Sequence, residues 1–198
     1  MNGTQGYGDN AKMLAQQYES ITFSDVHRDV LRLFPSRPSH VLDIGAGSGR
    51  DAAALAAKGH TVIAVEPTEA LRNEGMRLHG GKAIEWIDDQ LPSLAQLQTR
   101  GETFDLILLT AVWMHLDETE RQASMVSLVN LLAAKGRVSM SLRHGPVPSG
   151  RRMFDVSPDE TIALASSLGL GLVHSVERED MLGRPDVRWS FVVLERIT

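Results

Sequence analysis

Cysteine is absent from the 198 residues, which excludes disulfides, thiolate metal sites and every mechanism with a cysteine nucleophile. Long apolar runs are also missing. The longest, Leu106–Met114, is broken by Thr110 and falls far short of the about twenty residues that span a bilayer. The start, Met1–Asn10, has no basic-then-apolar secretory layout, so a soluble cytoplasmic protein with no membrane partner is expected. Nor is there an excess of positive charge. Twenty basic residues against twenty-five acidic ones leave a net charge of −5, which argues against a nucleic-acid partner. The seven histidines show no H-E-x-x-H or comparable ligand spacing, and no metal is expected.

What is present is ordinary globular material, 42% hydrophobic and 23% charged, of a length that suits one domain with small decorations. Short β-branched runs alternate with helical stretches, which predicts an α/β fold with a mostly parallel sheet. Strands are expected at 41–44, 61–65, 83–87, 106–109 and 138–142, with 170–176 and 188–196 forming an edge hairpin around Gly183-Arg184-Pro185. Helices are expected from Arg50 to Lys58, closed by Gly59, and from a Thr68 cap to about His79. Another opens at Asp117 with Glu120 completing a capping box, and its Met125, Leu128, Val129 and Leu132 share one face. A last one starts at Ser157-Pro158-Asp159-Glu160 and ends at Gly169. Two helical segments precede the sheet, one over 10–19 and one from Ser24 to Pro35. Residues 1–36 thus read as an N-terminal helical extension and 37–198 as the main domain.

The segment Val41-Leu42-Asp43-Ile44-Gly45-Ala46-Gly47-Ser48-Gly49-Arg50 is a strand, three glycines and a helix start. Such a turn lets a ligand approach the backbone and offers it the free N–H groups of a helix N-terminus. The spacing is G-x-G-x-G rather than the dinucleotide G-x-G-x-x-G. Asp43 separates the readings further. A carboxylate there repels a pyrophosphate by about 4 kcal/mol at ~4 Å and an effective dielectric near 20, yet suits a ligand carrying an ammonium group. Glu66, at the end of the second strand, is placed to accept both hydroxyl protons of a ribose, and Asp88 to accept from an adenine amino group. An adenosine joined to an amino acid fits all three. A nicotinamide-dependent oxidoreductase and a non-catalytic ligand-binding module stay open as alternatives. Arg50 and Asp51 read as a solvated helix start.

From Val41 to Arg196 the sequence resembles the class I S-adenosylmethionine-dependent methyltransferases. The resemblance rests on Asp43-Ile44-Gly45-Ala46-Gly47-Ser48-Gly49, Val65-Glu66, Phe104-Asp105-Leu106-Ile107-Leu108-Leu109 and Gly136-Arg137-Val138. It implies a Rossmann-like, doubly wound seven-stranded sheet of order 3-2-1-4-5-7-6 with an antiparallel edge hairpin. The implied cofactor is S-adenosyl-L-methionine, leaving as S-adenosylhomocysteine. It would be held by Asp43, Gly45, Ala46, Gly47 and Gly49 and by Glu66 with Pro67. Asp88 or Asp89 would meet the adenine, with the spacing to Leu91-Pro92 favouring Asp88. Thr110 and Ala111 would lie beside the methionine part, under the cover of Tyr18.

The wording around the fourth strand is similar to small-molecule members of that family, so the expected partner is a small acceptor methylated on oxygen, nitrogen or sulfur. Thr110-Ala111-Val112-Trp113 stands where amino-directed nucleic-acid methylases carry D/N-P-P-Y/F, and cytosine C5 methylation needs the missing cysteine. Trp113 and Met114 are candidates for an apolar acceptor wall. Arg143, Arg151 and Arg152 are candidates for orienting a carboxylate or phenolate, and Met153 and Phe154 for closing the pocket. His144 and His115 are the candidate general bases. Tyr7 is an ambiguous neighbour of the site.

Overall fold

The computed structural model describes residues 10–197. Seven strands form one sheet: β1 (His40–Ile44), β2 (Thr61–Val65), β3 (Ile84–Ile87), β4 (Phe104–Leu109), β5 (Leu132–His144), β6 (Leu170–Glu179) and β7 (Arg188–Arg196). Their order is β3-β2-β1-β4-β5-β7-β6. The first five are parallel, and β7 runs antiparallel to both β5 and β6. Parallel strands need crossovers. These are α3 (Arg50–Ala57), α4 (Glu69–His79), α5 (Ala95–Arg100) and α6 (Glu118–Leu131); α7 (Pro158–Ser167) links β5 to β6. Ahead of β1 lie α1 (Ala11–Glu19) and α2 (Phe23–His27).

Both sheet faces are covered, so the central strands are apolar throughout; Leu106, Ile107, Leu108 and Leu109 are all fully buried. One face packs Leu42, Ile44, Ile107, Leu109 and Met140 against Met125, Leu128 and Leu131 of α6. The other packs Val41, Leu106, Leu108 and Phe191 against Ala52 and Leu55 of α3 and against Phe23, Val26, Val30 and Phe34. The segment before β1 therefore belongs to the same core as the sheet. Alternation along β1 puts Asp43 on the Val41 face, a carboxylate in an otherwise apolar row.

Several local expectations shift. The single helix expected from Ser24 is α2 followed by a 3-10 turn at 31–33, and its cap is Thr22, whose hydroxyl accepts from the Asp25 N–H. Arg178 of β6 takes the carbonyls of Asp25 and Val26, so a tertiary contact rather than a continuing helix satisfies them. Thr68 stands at the N-cap of α4 without a side-chain cap bond. Leu132 opens β5 instead of continuing α6, because the chain passes from helix to strand with no loop between. The sequence gives no sign of α5, since its cap is not local. Asp89 accepts from the N–H groups of Gln96 and Leu97 and closes the helix start from outside. The Asp117–Glu120 capping box and the Ser157 cap form as the sequence predicts.

Candidate functional site

At the carboxyl ends of the parallel strands the sheet opens into a cavity of ≈ 510 Å³, a volume ordinary for a small-molecule site. It lies where the strand order reverses between β1 and β4, the place where open α/β sheets take their ligands. Asp43, Gly45, Ala46, Gly47, Glu66, Pro67, Asp89, Thr110, Ala111 and Tyr18 all line it.

Asp43 is 2% exposed, and its Oδ2 has no hydrogen-bond partner among the described residues. Burial and the adjacent Asp51 carboxylate push its pKa well above the ordinary carboxylate range, against the pull of Arg50 and the Ala52 N–H. A cation bound beside it would favour the ionised carboxylate.

Glu66 is oriented by the backbone: Gly47 N–H donates to Oε2 at 2.9 Å and Thr68 N–H to Oε1 at 2.8 Å. Burial raises its pKa and these donors oppose the rise. Each oxygen keeps a lone pair for a ligand hydroxyl. Gly47, at φ +57°, sits beneath the Tyr18 ring, and a Cβ there would stand 3.3 Å from it.

Asp51 corrects the expectation of a solvated helix start. It is 3% exposed and is the hub of a buried network. His27 Nε2 donates to Oδ2 at 2.8 Å, Thr110 Oγ1 donates to the same oxygen at 2.8 Å, and Arg50 Nε donates to Oδ1 at 2.7 Å. Burial alone would raise the Asp51 pKa, but His27 and Arg50 outweigh it and hold the carboxyl well below its usual value. Two adjacent carboxylates thus diverge. One is saturated with donors and stays charged; the other lacks them and resists charging.

Other predicted residues are not brought to the cavity. Asp88 lies outside it, its carboxylate 64% exposed and paired with Arg72, while Asp89 is at the wall. Gly49 is a packing glycine: at φ +82° its added Cβ would fall 2.7 Å from the Trp86 ring. Trp113 and Met114 are buried in the core, because the 3-10 turn at 113–115 folds them under β4. Phe154 stacks under the Arg152 guanidinium away from the wall.

The two histidines separate for a simple reason. Successive strand residues face opposite ways, so Arg143 enters the cavity and His144 does not. His144 Nε2 meets Ser190 Oγ at 2.8 Å on the other face. His115 does line the cavity. Its Nδ1 lies 2.7 Å from the Arg152 carbonyl and so must donate, which assigns Nε2 as the basic nitrogen. Burial, with help from Arg151 and Arg152, lowers its pKa.

Arg143, Arg151, Arg152 and Met153 also reach the wall. Arg152 is committed elsewhere, donating to Glu120 at 2.7 Å and Asp117 at 2.8 Å, which ties the loop after β5 to the capping box of α6. Residues the sequence reading passed over complete the far end: Val26, Ser141, Arg178, Asp180, Arg184, Trp189 and Phe191. They come from α2, β5 and the β6–β7 hairpin, distant in sequence, and no short motif marks them. Tyr7 lies outside the described residues. Among the described residues no group of acidic and histidine side chains is arranged to hold a metal, and no helix is long and apolar enough to cross a membrane.

Comparison with known proteins gives a consistent picture. A methyltransferase-domain family model matches residues 41–136, from β1 to the start of β5. An uncharacterized methyltransferase of Geobacillus thermodenitrificans is 24% identical over 134 residues, 68% of this chain; the match spans 60% of that relative's length. Among solved structures, the 1,6-didemethyltoxoflavin-N1-methyltransferase of Burkholderia thailandensis superposes with a TM-score of 0.67 at 21% identity, covering 96% of this chain and 90% of that one. A TehB-like S-adenosylmethionine-dependent methyltransferase of Corynebacterium glutamicum gives 0.70 at 19%, covering 96% and 99%. With the domain model on β1 to β5, the strand order reproduced and the glycine turn opening into the cavity, the chain carries a methyltransferase-domain match and shares the fold of these S-adenosylmethionine-dependent methyltransferases.

Proposed function

We propose that this enzyme transfers the methyl group of S-adenosylmethionine to an oxygen, nitrogen or sulfur atom of a small-molecule acceptor. The observation that carries the reading is the Asp43 carboxylate, buried at the cavity wall with Oδ2 lacking a partner. An ammonium group satisfies it; the phosphates of a dinucleotide do not. The rest of the wall fits the same ligand. Glu66 offers two aligned acceptors for a ribose diol, and Gly47 leaves room under the Tyr18 ring. Asp89, its carboxylate held by the N–H groups of Gln90, Gln96 and Leu97, would border the adenine end, Ala46 and Pro67 would flank the sugar, and Thr110 and Ala111 would border the amino-acid part.

When bound, the cofactor supplies an electrophilic methyl group on a sulfonium, so no covalent enzyme intermediate is required. The protein's task is alignment, and positioning of this kind can contribute about 7–11 kcal/mol. Asp43 and Glu66 fix the two ends of the ligand, while the Ala111 N–H, bound to Ser141 Oγ at 2.9 Å, holds the β4 loop beside them. Where the acceptor atom is protonated, His115 is the residue placed to take the proton. Its depressed pKa keeps the ring neutral, and a positioned base adds roughly 10²- to 10⁴-fold. The toxoflavin-type relative, solved with 1,6-didemethyltoxoflavin and S-adenosylhomocysteine bound, supports a small acceptor.

Calorimetric titration with S-adenosylmethionine, S-adenosylhomocysteine and NAD tests the cofactor. Binding of the first two near the micromolar range without the third is expected; NAD binding alone refutes it. A screen of small acceptors for S-adenosylhomocysteine release then tests the enzyme. Silence across a broad panel would favour a non-catalytic binding module.

A further inference from the structure

The end of the cavity away from Glu66 is cationic and apolar at once. Arg178 is already engaged, with Asp29 at 3.0 Å and two carbonyls of α2. Arg184 is likewise tied to Asp180, which also accepts from Trp189 Nε1. Arg143 is different. It is 8% exposed, and among the described residues its Nε has no partner and its one hydrogen bond is a long one of 3.4 Å to the Gly145 carbonyl. Among the described residues no carboxylate lies within ion-pair distance of it. A buried guanidinium without an anion is strongly unfavourable, and the site is incomplete as it stands.

The surroundings show what kind of anion would fit. Arg143 pairs in register with Trp189 and Ser141 with Phe191, so these four side chains share one face. The two aromatic residues form an apolar floor, with Met181 and Leu182 beside it. Asp43 belongs to the same face, linked through Leu108 on β4 to Ser139 on β5. Two strand spacings and four residues along β5 separate Asp43 from Arg143, on the order of 16 Å between Cα positions. That span exceeds the combined reach of the two side chains, so Arg143 faces whatever lies beyond the group that Asp43 holds.

We propose that the methyl acceptor is an anionic small molecule with a flat apolar body, its carboxylate held by Arg143 and its body laid over Trp189 and Phe191. This rests on the methyltransferase reading of the same cavity. Burial, reinforced by Arg184, lowers the Arg143 pKa against the pull of Asp180. The planar donor fork of arginine matches a carboxylate bidentately, which lysine cannot do.

The test uses the full chain saturated with S-adenosylhomocysteine. Benzoate and 1-naphthoate are titrated against benzamide and 1-naphthamide by ligand-observed NMR. Each acid is expected to bind about tenfold tighter than its amide, as a charge-assisted hydrogen bond to a buried group predicts. Arg143→Gln should erase the difference and Arg143→Lys should keep part of it, with S-adenosylhomocysteine affinity within about twofold of wild type in both. Equal binding of acids and amides by the wild type overturns the proposal, as does discrimination that survives Arg143→Gln. A loss of about tenfold in S-adenosylhomocysteine affinity in both variants also overturns it, by assigning Arg143 to the cofactor's own carboxylate. If Arg143→Gln does not fold, the wild-type comparison and Arg143→Lys decide. Failure of the wild type to bind S-adenosylhomocysteine at all removes the methyltransferase reading and this proposal together; the other outcomes bear on the acceptor alone.

Discussion

Asp43 pits stability against function within one side chain. Its raised pKa means the folded apoprotein holds the proton more tightly than the unfolded chain. Stability therefore falls as pH rises from the ordinary carboxylate range to the raised value, and stays lower above it. Asp43→Asn should remove that slope and raise the apoprotein's Tm by about 2–4 °C for each kcal/mol recovered. The same variant should lose about tenfold or more in S-adenosylhomocysteine affinity at pH 8. In the wild type that affinity should climb with pH through the raised pKa and then level off. Calorimetry across pH, paired with thermal melts, reads both effects; an unchanged affinity in the asparagine variant contradicts the role of Asp43. The sequence made Asp43 and Glu66 legible because each ends a strand next to a recognisable turn. It hid Asp51, whose partners His27 and Thr110 lie 24 and 59 residues away. His144 misled for the opposite reason: adjacency to Arg143 in sequence means opposite faces on a strand.

Among the elements, the glycine turn combines two different requirements. Gly47 faces the cavity under Tyr18, whereas Gly49 opens α3 beneath Trp86 of β3. Gly47→Ala should weaken S-adenosylhomocysteine binding more than it lowers the melting temperature. Gly49→Ala should do the reverse, because both its φ of +82° and the ring resist a Cβ. Equal effects of the two on binding would mean the turn acts as one unit. The capping box of α6 carries a second load through Arg152. Asp117→Ala should cost about 1 kcal/mol for the lost cap and should also free the loop after β5, which a denaturant titration and faster proteolysis between residues 145 and 155 would register. The box itself was readable from four residues. The cap of α5 was not, because Asp89 acts from outside the helix and across a turn.

For the whole molecule, the site joins segments that the sheet order alone does not tie together. Helix α1 rests on α4 and over the turn, held by Glu19 accepting from Ser48 at 2.7 Å and from His79 at 3.1 Å. A ligand that binds only the folded state at 100 times its Kd adds about 2.7 kcal/mol of stability, or very roughly 5–10 °C for a chain this size. S-adenosylhomocysteine should produce a shift of that order. It should also slow amide hydrogen exchange in α1 and at the end of β1; a shift without protection of α1 would show that the helix takes no part. The alternation of strand and helix patterns foretold a mostly parallel α/β sheet, and the strand order with its reversal point followed from the family resemblance. The far end of the cavity was not legible, since it is assembled by the last hairpin folding back across β5.

That hairpin has a consequence for how such a protein diversifies. Apart from Tyr18 and its helix, the half of the cavity proposed for the cofactor is encoded between residues 43 and 111, and most of the half proposed for the acceptor after residue 140. On that proposal, grafts in the carboxyl-terminal third would retune which molecule is methylated and leave the residues that grip the donor untouched.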